Sequence, residues 1–189
     1  MEVISDVFFR FLKSNAYIFI TIAVIVSIRL FIVTPVVVAG PSMMPTLNDE
    51  DKIVVNKISP KLIGYERFDV IVFQQKQSTF YVKRIIGLPG ETVTYKNDAL
   101  YINGELVKEP FLEEAKGTVK FGKFTGDFNF QELYRMTVIP EGKYFVLGDN
   151  RLNSTDSREP HYIGLVDEEE VLGKAKFVMY PMDHAKWIK

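Results

Sequence analysis

"FYVKRII", residues 80–86, is the stretch on which the reading of the fold turns. Aromatic and β-branched residues crowd it, which suits an extended chain better than a helix. Along a strand, successive side chains point to opposite faces. Lys83 therefore shares a face with Tyr81 and Ile85, and Arg84 points the other way with Val82 and Ile86. A lysine flanked by apolar residues in mid-strand is a candidate for desolvation. From this stretch alone, a lysine on an edge strand that reaches solvent is the commoner case.

Similar segments lie on both sides. "KIVVNKI" (52–58), "FDVIVF" (68–73), "YFVL" (144–147) and "KAKFVMY" (174–180) are short and rich in the same residue types. "TVTYKNDALYINGELV" (92–107) contains two turn signals, Asn97-Asp98 and Asn103-Gly104, and reads as a hairpin or meander. Residues 108–136 are more polar, with scattered Phe and Gly, and suggest a long excursion or a small subdomain. A short helix is expected over 167–172, entered by acidic residues and followed by Gly173. The chain is thus expected to be mainly β.

Composition narrows the chemistry. The 189 residues carry 23 basic and 24 acidic side chains with no basic stripe, so nucleic acid is not an expected partner. No cysteine is present, which excludes disulfides and thiolate chemistry. The two histidines, His161 and His184, show no metal-ligand spacing, and neither metal nor cofactor is expected.

The N-terminal part is a membrane-anchor candidate. Residues 16–33 form an 18-residue apolar run interrupted only by Arg29, roughly 27 Å of helix against a hydrocarbon core of about 30 Å. Arg29, near one end, can snorkel to the interface. Arg10 and Lys13 precede the run, and the next basic residue after Arg29 is Lys52. The positive-inside rule then puts residues 1–15 in the cytoplasm, the span at 16–34, and residues 35–189 outside the membrane. A cleaved signal peptide, with Val37 and Ala39 before the cut, is the rival reading. The apolar run is longer than the usual h-region, which favours a retained anchor.

Just beyond this run comes "VVVAGPSMMPTL" (36–47), with a single serine, Ser42. A serine needs a base to become a nucleophile, and a buried lysine can serve when its pKa falls towards neutrality. "GDNRLNSTDSR" (148–158) specifies a tight polar loop after a strand. Asp149, Arg151, Asp156 and Arg158 could form a charge network there, and Ser154 or Ser157 could orient a lysine. A self-satisfied polar turn is the commoner outcome for such composition.

In order along the chain, "GPSMMPTL", "FDVIVF", "YVKRIIGLPGE" and "GDNRLNSTDSR" resemble the motif series of bacterial type I signal peptidases. These are membrane-bound Ser–Lys enzymes that remove signal peptides, and the single span and short chain are similar to the family's single-anchor form. The resemblance runs from the anchor to about residue 180. It implies a β-sheet catalytic core with an inserted smaller β-subdomain, here about 92–139, after one transmembrane helix. It implies Ser42 as nucleophile, Lys83 as general base, and Ser154 as the serine that hydrogen-bonds the lysine. Asp149, Arg84, Asp156 and Arg158 match the charged residues that hold the site together. Some relatives carry, two positions before the nucleophile, a serine that helps the oxyanion hole. Gly40 stands there, so the hole would rest mainly on the Ser42 backbone N–H, with Gly40 as the second oxyanion position. Phe68 stands where a glycine often precedes Asp69, and Glu91 where aspartate is common.

The expected reaction is acyl transfer on exported preproteins at the outer face of the cytoplasmic membrane, after small residues in an Ala-x-Ala pattern. Signal peptides and membrane lipid are the expected partners. The cleavage segment would add as a strand to edges near 36–39 and 80–83, with Val38, Met43 and Val82 as pocket walls. Two other readings stay open. One is a membrane-anchored β-rich binding module without catalysis. The other is a secreted Ser–His hydrolase using His161.

Overall fold

The computed structural model describes residues 15–27, 32–75, 79–119 and 122–188. It opens with helix α1 (Ala16–Ser27), strongly apolar, with the Tyr17, Ile20, Ile22, Val24 and Ile25 side chains exposed. Residues 1–14 and 28–31, including Arg10, Lys13 and Arg29, lie outside the described residues. Among the described residues no helix is long and apolar enough to cross a membrane. The chain is already extended at Val33, so the helical span expected over 16–34 ends earlier. Strand β1 (Val33–Val37) pairs antiparallel with β2 (Lys52–Asn56), Val33 opposite Asn56 and Val37 opposite Lys52. Pro35 does not end a helix there. It sits in an edge strand, where its missing N–H breaks no ladder bond to an outer neighbour.

After a short helix α2 (Ser59–Ile63) come β3 (Val70–Gln75) and β4 (Thr79–Gly87), paired along their length with Ile71 opposite Lys83. β4 is the "FYVKRII" strand, and from Lys83 onward both of its faces are buried. Next come β5 (Val93–Lys96), β6 (Ala99–Ile102), β7 (Glu105–Val107), helix α3 (Glu113–Gly117), β8 (Phe128–Asn129) and helix α4 (Phe130–Tyr134). The chain then adds β9 (Lys143–Leu147), β10 (Val166–Asp167), β11 (Val171–Tyr180) and β12 (Lys186–Trp187).

These strands form an eight-stranded sheet in the order β1-β2-β11-β3-β4-β9-β10, with β12 on β11, and a four-stranded sheet β7-β6-β5-β8. The smaller sheet leaves and rejoins the larger at one point. There Gly90 N–H donates to the Ile139 carbonyl and Ile139 N–H to that of Glu91, each at 2.8 Å. The two sheets share a core. Ile86, Phe145 and Leu147 of the large sheet pack with Val93, Tyr95, Leu100 and Phe130. Each such side chain is worth about 1.5–3 kcal/mol when fully buried, so the small sheet is welded on rather than tethered.

The expected helix over 167–172 is not formed. Asp167 ends β10, one 3₁₀ turn covers Glu168–Glu170, and Val171 begins β11 opposite Phe73. Sheet pairing of a β-branched residue outweighs the acidic start signal. Gly173 is a strand residue rather than a helix stop. A Cβ there would lie 2.3 Å from the Asn56 carbonyl oxygen, so the close approach of β2 and β11 requires glycine.

Candidate active site

Ser42 sits in the β1–β2 loop, and Lys83 reaches it from β4. Lys83 Nζ donates to Ser42 Oγ at 2.6 Å, and Lys83 is only 3% exposed. The solvent-reaching alternative is therefore not realised. β4 has β3 on one side from Thr79 to Arg84, and on the other it pairs with β9 only from Arg84 onward. Lys83 is the last residue before that pairing starts, at the mouth of a cleft rather than at a wet edge. Burial pushes its ammonium down to about 8. The Asp156 carboxylate opposes this, Arg158 adds to the lowering, and Asp149 again opposes it.

The Ser42 loop is held from three sides. Met43 and Leu47 are buried in a core with Ile53, Val55 and Val178, which pins the loop from beneath. Asn150 N–H donates to the Ser42 carbonyl at 3.0 Å, and Asn150 Nδ2 to the Pro41 carbonyl at 3.1 Å. Thr46 Oγ1 donates to Asp149 Oδ2 at 2.5 Å. Thr46 and Asn150 were not singled out from the sequence, although both stand inside quoted motifs.

A buried ion pair fixes the other side. Arg84 donates to Asp149 through Nε at 2.8 Å and Nη2 at 2.6 Å, and neither side chain is exposed at all. Arg84 Nη1 also donates to the Phe68 carbonyl at 2.8 Å, and its guanidinium lies 3.9 Å from the Phe111 ring centre. Asp156 accepts from Gly148 N–H at 3.0 Å and from Arg158 Nε at 2.8 Å. Asp149, Arg84, Asp156 and Arg158 thus form two pairs that brace the loop at 148–158. Phe68 has a φ of +72°, in the left-handed region where glycine is free of strain. Its ring packs on Phe111 at 5.1 Å, a contact glycine lacks.

Two expected roles change. Ser154 Oγ is buried and has no hydrogen-bond partner among the described residues, so the expected bond to Lys83 is not made. The hydroxyl packs against Gly148 instead, where an added Cβ would lie 2.1 Å from Ser154 Oγ and 2.4 Å from the Ser42 carbonyl oxygen. Only glycine permits that approach. Gly40 is not an oxyanion donor either, because its N–H is taken by Asp49 Oδ1 at 2.8 Å. Its φ of +86° explains the residue type, since a Cβ there would meet open space. The Ser42 N–H has no hydrogen-bond partner among the described residues.

Beside the dyad lies a cleft of about 170 Å³ lined by Val36, Val38, Met43, Phe80, Val82 and Lys83. All three expected wall residues, Val38, Met43 and Val82, border it. The cleft is well below the ~300 Å³ at which drug-sized ligand pockets begin, so it suits small side chains. Neither histidine touches Ser42. His161 is exposed, and His184 Nδ1 is 2.8 Å from Asp51 Oδ2. The Ser–His arrangement is therefore not assembled.

Known proteins resemble this chain over most of its length. The model of the family described as "Signal peptidase, peptidase S26" matches residues 11–180. Signal peptidase I of Bacillus caldolyticus is 45% identical over 163 residues, covering 86% of this chain and 88% of that protein. Signal peptidase IB of Staphylococcus aureus (strain MRSA252) is 44% identical over 161 residues, 83% of each. The crystal structure of a signal peptidase I from Enterococcus faecalis V583 superposes with a TM-score of 0.54 at 45% identity. It covers 58% of this chain and 95% of that one. With a family match over most of its length and relatives this similar, the chain belongs to the signal peptidase family, peptidase S26.

Proposed function

We propose that this protein removes signal peptides from exported preproteins, with Ser42 as nucleophile and Lys83 as general base. The observation that carries the reading is the 2.6 Å contact between Ser42 Oγ and a buried lysine whose pKa is lowered. Neutral Lys83 takes the Ser42 proton as Oγ attacks the scissile carbonyl. The developing oxyanion meets the free Ser42 N–H, and one such donor is worth about 10²–10³ in rate elsewhere. The lysine, now protonated, gives its proton to the leaving amine. Water then attacks the acyl-enzyme with Lys83 again as base.

The substrate segment binds extended between two edges. β1 has no outer neighbour among the described strands, and β4 has none opposite β3 along residues 79–83. The small apolar cleft between them supports a preference for small side chains, and Ala-x-Ala is the pattern we assign. The anchor belongs to this reading too. A helix as apolar as α1 suits a lipid environment, and its Tyr17, Ile20, Ile22, Val24 and Ile25 side chains are exposed. Residue 42 lies nine positions beyond Val33, at most about 30 Å from it along an extended chain. The nucleophile would stay close to the outer leaflet, with residues 1–15 in the cytoplasm and the catalytic domain outside.

The direct test incubates the detergent-solubilised full chain with a preprotein whose apolar segment ends in Ala-x-Ala. Wild type should release the mature protein and Ser42→Ala should not. Equal product from both would overturn the reading and favour a non-catalytic module. A second expectation concerns pH. Because only the neutral lysine accepts a proton, kcat/KM should rise with pH through about 8 and then level off. A profile flat from pH 6 to 9 would contradict a lysine base.

A further inference from the structure

Arg151 lies in the loop that braces Ser42, yet its guanidinium turns away from the dyad and enters the small sheet. It is 2% exposed, and its one carboxylate partner among the described residues is Glu109, 6% exposed, with Nη2 donating to Oε1 at 2.5 Å. Tyr95 OH on β5 donates to Glu109 Oε2, and Arg151 Nη1 donates to that same phenol oxygen and to Thr125 Oγ1. Lys116 of α3 adds a contact to Glu109 at 3.3 Å. On its other side Arg151 Nε donates to the Gly148 carbonyl at 3.1 Å. Gly148 is the residue on which Ser42's carbonyl and Ser154's hydroxyl close in, and Asn150 N–H holds that Ser42 carbonyl. A path therefore runs from Glu109, just after β7, through buried Arg151 to Gly148, whose backbone closes on the half-buried Ser42 loop.

We propose that Glu109 is a positioning residue for the reaction, setting the place of Ser42 through Arg151 and Gly148. The small sheet is on this view a working part of the active site. A buried cation without its carboxylate is strongly unfavourable, so loss of Glu109 forces Arg151 to seek water and release the Gly148 carbonyl. The Ser42 carbonyl then loses its rigid backing, and a nucleophile displaced by about 1 Å can lose about 10²-fold in rate. Substrate contacts lie in the cleft between β1 and β4, remote in sequence from this network, so binding stays intact.

The inference rests on the Ser42–Lys83 reading, and the experiment separates the two. The full chain in detergent is assayed on one Ala-x-Ala preprotein as wild type, Ser42→Ala, Glu109→Gln and the apolar pair Glu109→Leu/Arg151→Met, with thermal unfolding recorded for each. Glu109→Gln should lower kcat about 10-fold with KM unchanged. The apolar pair removes both charges, which is often neutral for stability. It should unfold near the wild-type temperature and still show the lowered kcat, because the Gly148 carbonyl has lost its donor. That separation of rate from stability is something a merely structural role would not produce. Wild-type kcat in Glu109→Gln, or full recovery of kcat in the apolar pair, would overturn the inference while leaving the dyad standing. Product from Ser42→Ala would overturn the dyad and this inference with it. If Glu109→Gln does not fold, Tyr95→Phe carries the test. It should lower kcat severalfold at constant KM, and an unchanged kcat there would also overturn the inference.

Discussion

Lys83→Met should lose at least about 10³-fold in turnover and yet unfold at a higher temperature than the wild type. The two effects share one cause. Burial pushes the lysine from its ordinary 10.5 down to about 8. Below pH 8 the folded and unfolded chains both carry the proton, so folding has to bury an ammonium. Between pH 8 and 10.5 the folded chain has released the proton and the unfolded chain has not, so wild-type stability rises with pH through that window. At pH 7 the buried charge destabilises the fold by about 3 kcal/mol. Methionine fills a similar volume with no charge to desolvate. It gives up the hydrogen bond to Ser42 Oγ, worth about 1 kcal/mol. A net gain of about 2 kcal/mol raises Tm by ~4–8 °C for a chain of this size. The check is thermal unfolding in detergent at pH 7 and pH 10. The advantage of Lys83→Met should shrink at the higher pH. A variant that retains turnover would end the dyad reading, and one that melts lower at pH 7 would end the buried-charge argument.

Arg84→Met should go the other way. Asp149 is fully buried and holds Arg84 through two hydrogen bonds, at 2.8 and 2.6 Å. Without the guanidinium, an unpaired carboxylate is left in the interior, and breaking such a pair destabilises by about 3–5 kcal/mol. At ~2–4 °C per kcal/mol, Tm should fall by roughly 6 °C or more. Thr46 also loses its firm acceptor, because its hydroxyl bonds the same Asp149 oxygen that Arg84 holds. The Ser42 loop then loosens, and kcat should drop about 10²-fold at temperatures where the variant is still folded. Arg84→Lys should rescue little, since an ammonium cannot reproduce the planar fork on the carboxylate while also reaching the Phe68 carbonyl. A wild-type Tm for Arg84→Met would show that the pair is not what holds this loop.

Much of the strand content was readable because period-two patterning is a local property. "FYVKRII" read as a strand with Lys83 and Arg84 on opposite faces, and the two side chains do diverge, one to Ser42 and the other to Asp149. The N-terminal apolar run and the segment at 167–172 were read less well. In both, a local helix signal met residues that pair in a sheet, Val33 with Asn56 and Val171 with Phe73. Pairing partners more than 20 residues away leave no trace in the segment itself. Phe68 shows the same limit from another side. A phenylalanine in place of the expected glycine looks neutral in the sequence, whereas the backbone turns out to be left-handed there and the ring rests on Phe111.

The sequence by itself determined the residue types at the candidate site: one serine in a bent loop, a lysine among apolar neighbours, and a polar loop with two Asp and two Arg residues. Those are matters of composition and spacing, and short motifs carry them whole. The tertiary structure alone decided that Lys83 is dry, that Gly40's N–H is taken by Asp49 while Ser42's stays open, and that Ser154 packs on Gly148 without bonding the lysine. It alone joined Glu109 to Arg151 across 42 positions of chain. Desolvation and hydrogen-bond satisfaction depend on which atoms arrive from distant segments, and only the folded chain brings those atoms together.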